Sequence, residues 1–77
     1  GYFDRAAAVL EAVTQNRRRA PSRILSGLGI SYTFLETLIV AGLVRVYGKK
    51  MHRKLILTDN GREFLEHYKH CEMLLPT

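Results

Sequence analysis

Cysteine is nearly absent: the 77 residues hold one, Cys71. A single cysteine forms no internal disulfide, which predicts a reducing, intracellular setting and a fold held by its core alone. No run of about 18 apolar residues occurs, which argues against a membrane span. No basic start followed by a long apolar stretch marks a signal peptide. There is no glycine-rich phosphate loop, and no Ser-His-acid or Cys-His arrangement has a motif around it, so neither an enzyme nor a cofactor is expected. Internal repeats and low-complexity stretches are missing too. What remains is 47% hydrophobic, ordinary for one small globular domain.

Acids are also scarce where bases are dense. From Arg17 to Thr58 there are nine Lys/Arg against one acid, Glu36, a net of +8. The flanks hold three bases and six acids, a net of −3. A solvated surface usually mixes its signs, whereas segregation on this scale creates a directed positive field that attracts a polyanion. Composition does not distinguish DNA from RNA as that polyanion.

The periodicity predicts a first helix over Asp4–Asn16, with Asp4 as N-cap and Ala6, Val9, Leu10 and Val13 as its apolar stripe. Ala20-Pro21-Ser22 breaks it. Pro21 suits the first turn of a second helix, about Pro21–Gly27, with Ile24, Leu25 and Leu28 apolar and Gly27 and Gly29 as stops. Ser31 caps a third helix, with Ile30 and Leu35 placed for a hydrophobic staple. Leu35, Leu38 and Ile39 form its inward stripe, leaving Tyr32, Thr33, Glu36, Thr37 and Val40 outside. Leu43–Tyr47 alternates, Gly48–Arg53 is polar, and Lys54–Leu57 is a second strand candidate. Together they predict a β-hairpin with a basic tip. Thr58 caps a last helix, about Asp59–Leu75. The expected fold is α+β, a winged helix-turn-helix: a three-helix core, a two-stranded wing and a longer C-terminal helix.

The sequence resembles the small basic winged-helix proteins of archaea and their viruses, which include nucleoid proteins and transcription regulators. The resemblance rests on Pro21-Ser22-Arg23-Ile24, Leu28-Gly29-Ile30-Ser31-Tyr32 and Ala41-Gly42-Leu43-Val44. It continues through Leu57-Thr58-Asp59-Asn60-Gly61-Arg62-Glu63-Phe64-Leu65. These blocks run in order across about Val9 to Tyr68. The chain departs from the long-tailed members by stopping soon after Cys71. The resemblance implies the winged-helix fold, DNA binding, and often a homodimer built through the last helix.

Two basic groups are expected to grip phosphates: Arg17, Arg18, Arg19 and Arg23 around the start of the second helix, and Lys49, Lys50, His52, Arg53 and Lys54 on or beside the wing. On the third helix, Ser31, Tyr32, Thr33 and Thr37 suit phosphates or base edges, and Glu36 suits a cytosine amino group. That helix carries no Arg, Lys, Asn or Gln, so strong guanine or adenine readout is not expected and phosphate contacts should carry the affinity. Each feature has a plainer counterpart. Arg17–Arg19 suits a solvated loop, edge lysines keep hairpins from pairing, and Tyr32 suits packing in the turn. The alternative function is a winged-helix protein-interaction module of a larger assembly.

His67 and Cys71 lie one helical turn apart, but two ligands fall short of the four of a structural zinc site, and no metal is expected. Phe64, Leu65 and Tyr68 are enough to close one small core, and next to Tyr68 the side chains of Cys71, Leu74 and Leu75, with Met73, extend beyond what one domain covers. They predict a homodimer interface, with the protein acting on double-stranded DNA in the cytoplasm, associated with the nucleoid.

Overall fold

The computed structural model describes residues 1–76. Four helices and one two-stranded antiparallel sheet follow in the order α1 (Tyr2–Gln15), α2 (Pro21–Leu28), α3 (Tyr32–Val40), β1 (Val44–Tyr47), β2 (Lys54–Leu57) and α4 (Asp59–Leu74). A short 3-10 turn, Lys50–His52, sits between the strands. The protein is an α+β domain whose layout is compatible with a winged-helix-like arrangement.

Helix α1 starts earlier than expected. Asp4 is its third residue and not its N-cap. The reason lies in the two aromatics before it. The Tyr2 ring meets Phe34 of α3 edge-on at 5.4 Å, and Phe3 lies 6.2 Å from Phe64 of α4. These contacts extend the helix to Tyr2, and an acid in the first turn still suits the positive end of the dipole. Arg5 adds its guanidinium over the Phe34 ring at 4.8 Å, within cation–π range. Asn16 closes α1, its side-chain amide donating to the Ala12 carbonyl at 2.8 Å.

The core gathers one stripe from each element: Val9, Leu10 and Val13 of α1, Ile24 and Leu25 of α2, Leu35 and Leu38 of α3, Val44 of β1, Leu55 and Leu57 of β2, and Leu65 of α4. Phe34, which the periodicity left unassigned, is buried, while Ile39 is only partly covered. Leu28 departs from expectation: it ends α2 half-exposed. The stop is Gly29, whose φ of +67° is left-handed, a conformation glycine takes without a Cβ penalty. Gly27 lies within the helix.

Between α2 and α3 the chain needs only Gly29, Ile30 and Ser31, and the two helix axes differ by 115°. Helix-turn-helix pairs cross at about 90–120° with turns of this length. No single helix is long and apolar enough to cross a membrane. Ser31 caps α3, its Oγ accepting from the Phe34 N–H at 3.3 Å.

In the hairpin, Val44 pairs with Leu57, Arg45 with Ile56, Val46 with Leu55 and Tyr47 with Lys54. Alternation therefore turns Val44, Leu55 and Leu57 inward. Helix α4 is locked to the base of the sheet by Thr58. Its Oγ accepts from the Gly61 N–H at 2.9 Å and donates to the Gly42 carbonyl at 2.5 Å. Gly61 is required there, because a Cβ would overlap the Leu43 carbonyl oxygen. Along its length α4 packs against α1, where Lys69 pairs with Glu11 at 3.0 Å and the Tyr68 hydroxyl donates to Asp4 at 2.5 Å.

Candidate nucleic-acid interface

The cations of the central segment are carried by the loop before α2, by Arg23 within α2 and by the hairpin, while α3 carries only the acid Glu36. Pro21 at the first position of α2 fixes where that helix begins. The loop before it therefore ends at the positive end of the α2 dipole. The α3 cap at Ser31 likewise fixes where Tyr32 emerges.

These starts converge with the hairpin tip. Ala20, Pro21 and Ser22 line one open cleft with Tyr32, Lys50, Met51 and Arg53, with a volume of about 310 Å³. Two cations from the tip, the positive end of α2 and the first residue of α3 thus share a concave surface. Tyr32 is half-exposed there, with its ring available to a ligand.

The tip is built rather than slack. The His52 N–H donates to the Lys49 carbonyl at 2.9 Å, closing the 3-10 turn. Lys50 adopts φ +50°, the one non-glycine residue with positive φ among the described residues. A left-handed lysine costs roughly 1–2 kcal/mol, and such strain tends to collect at functional positions. Met51 is 89% exposed on this turn.

The rest of the expected interface divides. Thr33, Glu36 and Thr37 lie exposed on α3. The Thr37 hydroxyl donates to the Thr33 carbonyl at 3.2 Å, which leaves its lone pairs free to accept. Ser31 spends an Oγ lone pair on its cap, so it is first a structural residue. Arg18, Arg19, Arg23, Lys49 and His52 are exposed but do not line the cleft. Lys54 is half-buried beside Tyr47 on the sheet.

Arg17 belongs elsewhere. It shares a smaller cleft, about 150 Å³, with Thr14, Ile56, Leu57 and Arg62. Arg62 also lines a neighbouring cleft with Arg45. Arg17, Arg45 and Arg62 thus gather around Ile56 at the base of the hairpin, away from the tip residues. The sequence joined Arg17 to the loop arginines by proximity in the chain. Arg17 lies in the loop after α1, on the side that faces Ile56 and Leu57 of β2. Arg62 is engaged with Asp59 as an ion pair.

Two surface features escaped the sequence reading, Arg45 and Met51, whereas Val40, expected outside, is 88% exposed on α3. Strand alternation already placed Arg45 opposite the buried Val44. Nothing in the sequence marked Met51, whose position depends on the shape of the turn.

A second surface lies on α4. Phe3, Phe64, His67, Tyr68 and Cys71 line an apolar groove of about 330 Å³. Cys71 is exposed in this groove and Leu74 and Leu75 are exposed beyond it, whereas Tyr68 sits half within its own core. His67 approaches Glu63 at 3.7 Å, and no group of three or more His, Cys, Asp or Glu side chains converges among the described residues.

The Tyr68–Asp4 hydrogen bond leaves an electrostatic signature. The phenol, with the Gly1 amine at 3.1 Å, holds the Asp4 carboxyl below its usual range. Accepting the proton's hydrogen bond makes Asp4 a strong partner of the neutral phenol, and Tyr68 is pushed up to about 12.

No protein family model, curated protein or solved structure matches the chain.

Proposed function

We propose that the chain is a winged helix-turn-helix domain that binds double-stranded DNA with modest sequence specificity, as a transcription regulator or nucleoid protein of archaeal type. The observation that carries this reading is the cleft shared by the start of α2, Tyr32, Lys50 and Arg53. A helix about 10–12 Å across fits the major groove. In this reading α3 enters that groove while the positive end of α2 and the hairpin tip hold the flanking phosphates. The outer face of α3 offers Thr33, Glu36, Thr37 and Val40, which suit water-mediated contacts, a cytosine amino group and a thymine methyl better than bidentate purine readout.

Fluorescence anisotropy with a labelled duplex and a scrambled duplex of equal length tests the proposal. Both bind, with similar affinity. If roughly six phosphates are neutralised, log K falls against log salt with a slope near −5. A winged helix that serves as a protein-interaction module gives no salt-sensitive binding, and that result would overturn the reading.

We further propose that the domain acts as a homodimer through α4. Phe64, Tyr68 and Cys71 recur at four- and three-residue steps along α4, with Leu75 at its C-cap, the spacing of a seam that a second copy of the same helix can pack against. Two-fold pairing of this kind presents two α3 helices to one duplex. Sedimentation equilibrium gives twice the chain mass if the seam pairs and the single-chain mass if it does not.

A further inference from the structure

We propose that Met51 is a wedge that the hairpin tip drives between base pairs of the bound duplex, so that the protein bends the DNA it binds. The inference rests on the duplex-binding reading and adds a deformation to it.

The argument begins with how the tip holds this side chain. A hairpin needs only two residues to turn, but here Gly48–Arg53 connects the strands and includes the 3-10 turn Lys50–His52. The turn is closed by the His52-to-Lys49 hydrogen bond, and it requires a left-handed lysine at position 50. Gly48 admits no side chain, since a Cβ would overlap the His52 carbonyl. The tip is therefore a shaped turn that carries Met51 89% exposed and outside the hydrophobic core.

Its neighbours indicate what covers it. Lys50, His52 and Arg53 surround Met51 in the chain, and Lys50 and Arg53 share its cleft. An apolar side chain flanked by two cations is a poor match for an apolar protein pocket, which would have to bury those charges unpaired. It is a good match for a stack of bases flanked by phosphates. Methionine is unbranched and polarisable, able to slide between rings. Minor-groove proteins use such apolar wedges, with nearby basic side chains, to unstack one base step and kink the duplex by 20–90°. The cations then hold the phosphates that the kink brings closer. Pyrimidine–purine steps such as TA unstack most readily, so the wedge supplies a preference for deformable sequence that α3 does not provide by base readout.

The test uses short duplexes with a donor and an acceptor dye at their ends and 2-aminopurine beside a central TA step. Wild type, Met51→Ser and Met51→Leu are compared, and at an exposed position neither substitution disturbs the fold. Wild type and Met51→Leu are expected to shorten the end-to-end distance and raise 2-aminopurine fluorescence. Met51→Ser is expected to bind within about tenfold of wild type, because phosphates carry most of the affinity, while leaving the duplex straight and the probe quenched. Binding by wild type without bending, or equal bending by Met51→Ser, would overturn the wedge and leave duplex binding intact. Absence of any binding by wild type would overturn both.

Discussion

Tyr32, the first residue of α3, and Lys50, in the turn of the β-hairpin, line the same cleft. That relationship joins the helix pair to the hairpin as one surface. It arises from three local constraints: the left-handed Gly29 that turns α3 through 115°, the Ser31 cap that fixes its start, and the strand register that brings the tip back beside it.

Removing the tip cations tests the cleft. A Lys50→Ala, Arg53→Ala double variant is expected to lower the magnitude of the salt slope by roughly two, at about 0.9 per phosphate contact. Arg17→Ala, at the base of the hairpin, should change it far less. Anisotropy titrations at several salt concentrations read both, and a larger effect from Arg17 would contradict the assignment.

Lys50→Gly separates stability from binding. Glycine relieves the positive φ, so the variant should melt at or above the wild-type temperature while losing duplex affinity. Thermal melts and binding measured on one preparation check this. A variant that binds as wild type does would remove Lys50 from the interface.

The caps and the close approach at Gly61 set the expected costs of structural variants. Ser31→Ala should cost about 1 kcal/mol, a typical loss for an N-cap. Thr58→Ala should cost more, because its hydroxyl both caps α4 and bonds the Gly42 carbonyl. Gly61→Ala should exceed both, since the Leu43 carbonyl occupies the space of its Cβ. In a domain this size each kcal/mol lowers Tm by roughly 4–8 °C, so calorimetry ranks the three. The reverse order would contradict the packing of α4.

Tyr68 and Asp4 predict a specific pH dependence. The folded Asp4 carboxyl lies below its ordinary value, so its contribution is present above that value and is lost as acid protonates it. The folded Tyr68 phenol lies above its ordinary value, so its contribution is present below about pH 10 and fades as pH rises toward about 12. Tyr68→Phe should therefore differ from wild type in Tm near neutrality, and the two should converge at both extremes. A constant difference across pH would show that the bond does not couple to folding.

Much of the fold was legible in the sequence because its signals are local. Pro21, Ser31, Thr58 and Gly29 each act on their own backbone, and the sequence placed all four in roles the structure retains. The start of α1 was misread because Tyr2 and Phe3 find their partners, Phe34 and Phe64, far along the chain. The candidate site was less legible for the same reason. Chain proximity grouped Arg17 with Arg18 and Arg19; Arg17 lines a cleft with Ile56 and Arg62, and none of the three lines the cleft of the tip. Met51 gains its position only from the turn that surrounds it.

The most direct test is an NMR titration of the isotope-labelled domain with a short duplex. Amide shifts are expected to move together at Ala20–Ser22, Tyr32–Thr37 and Lys49–Lys54, three segments far apart in sequence whose residues Ala20, Pro21, Ser22, Tyr32, Lys50, Met51 and Arg53 share one cleft. Shifts confined to the C-terminal half of α4, or to only one of the three segments, would contradict a shared interface.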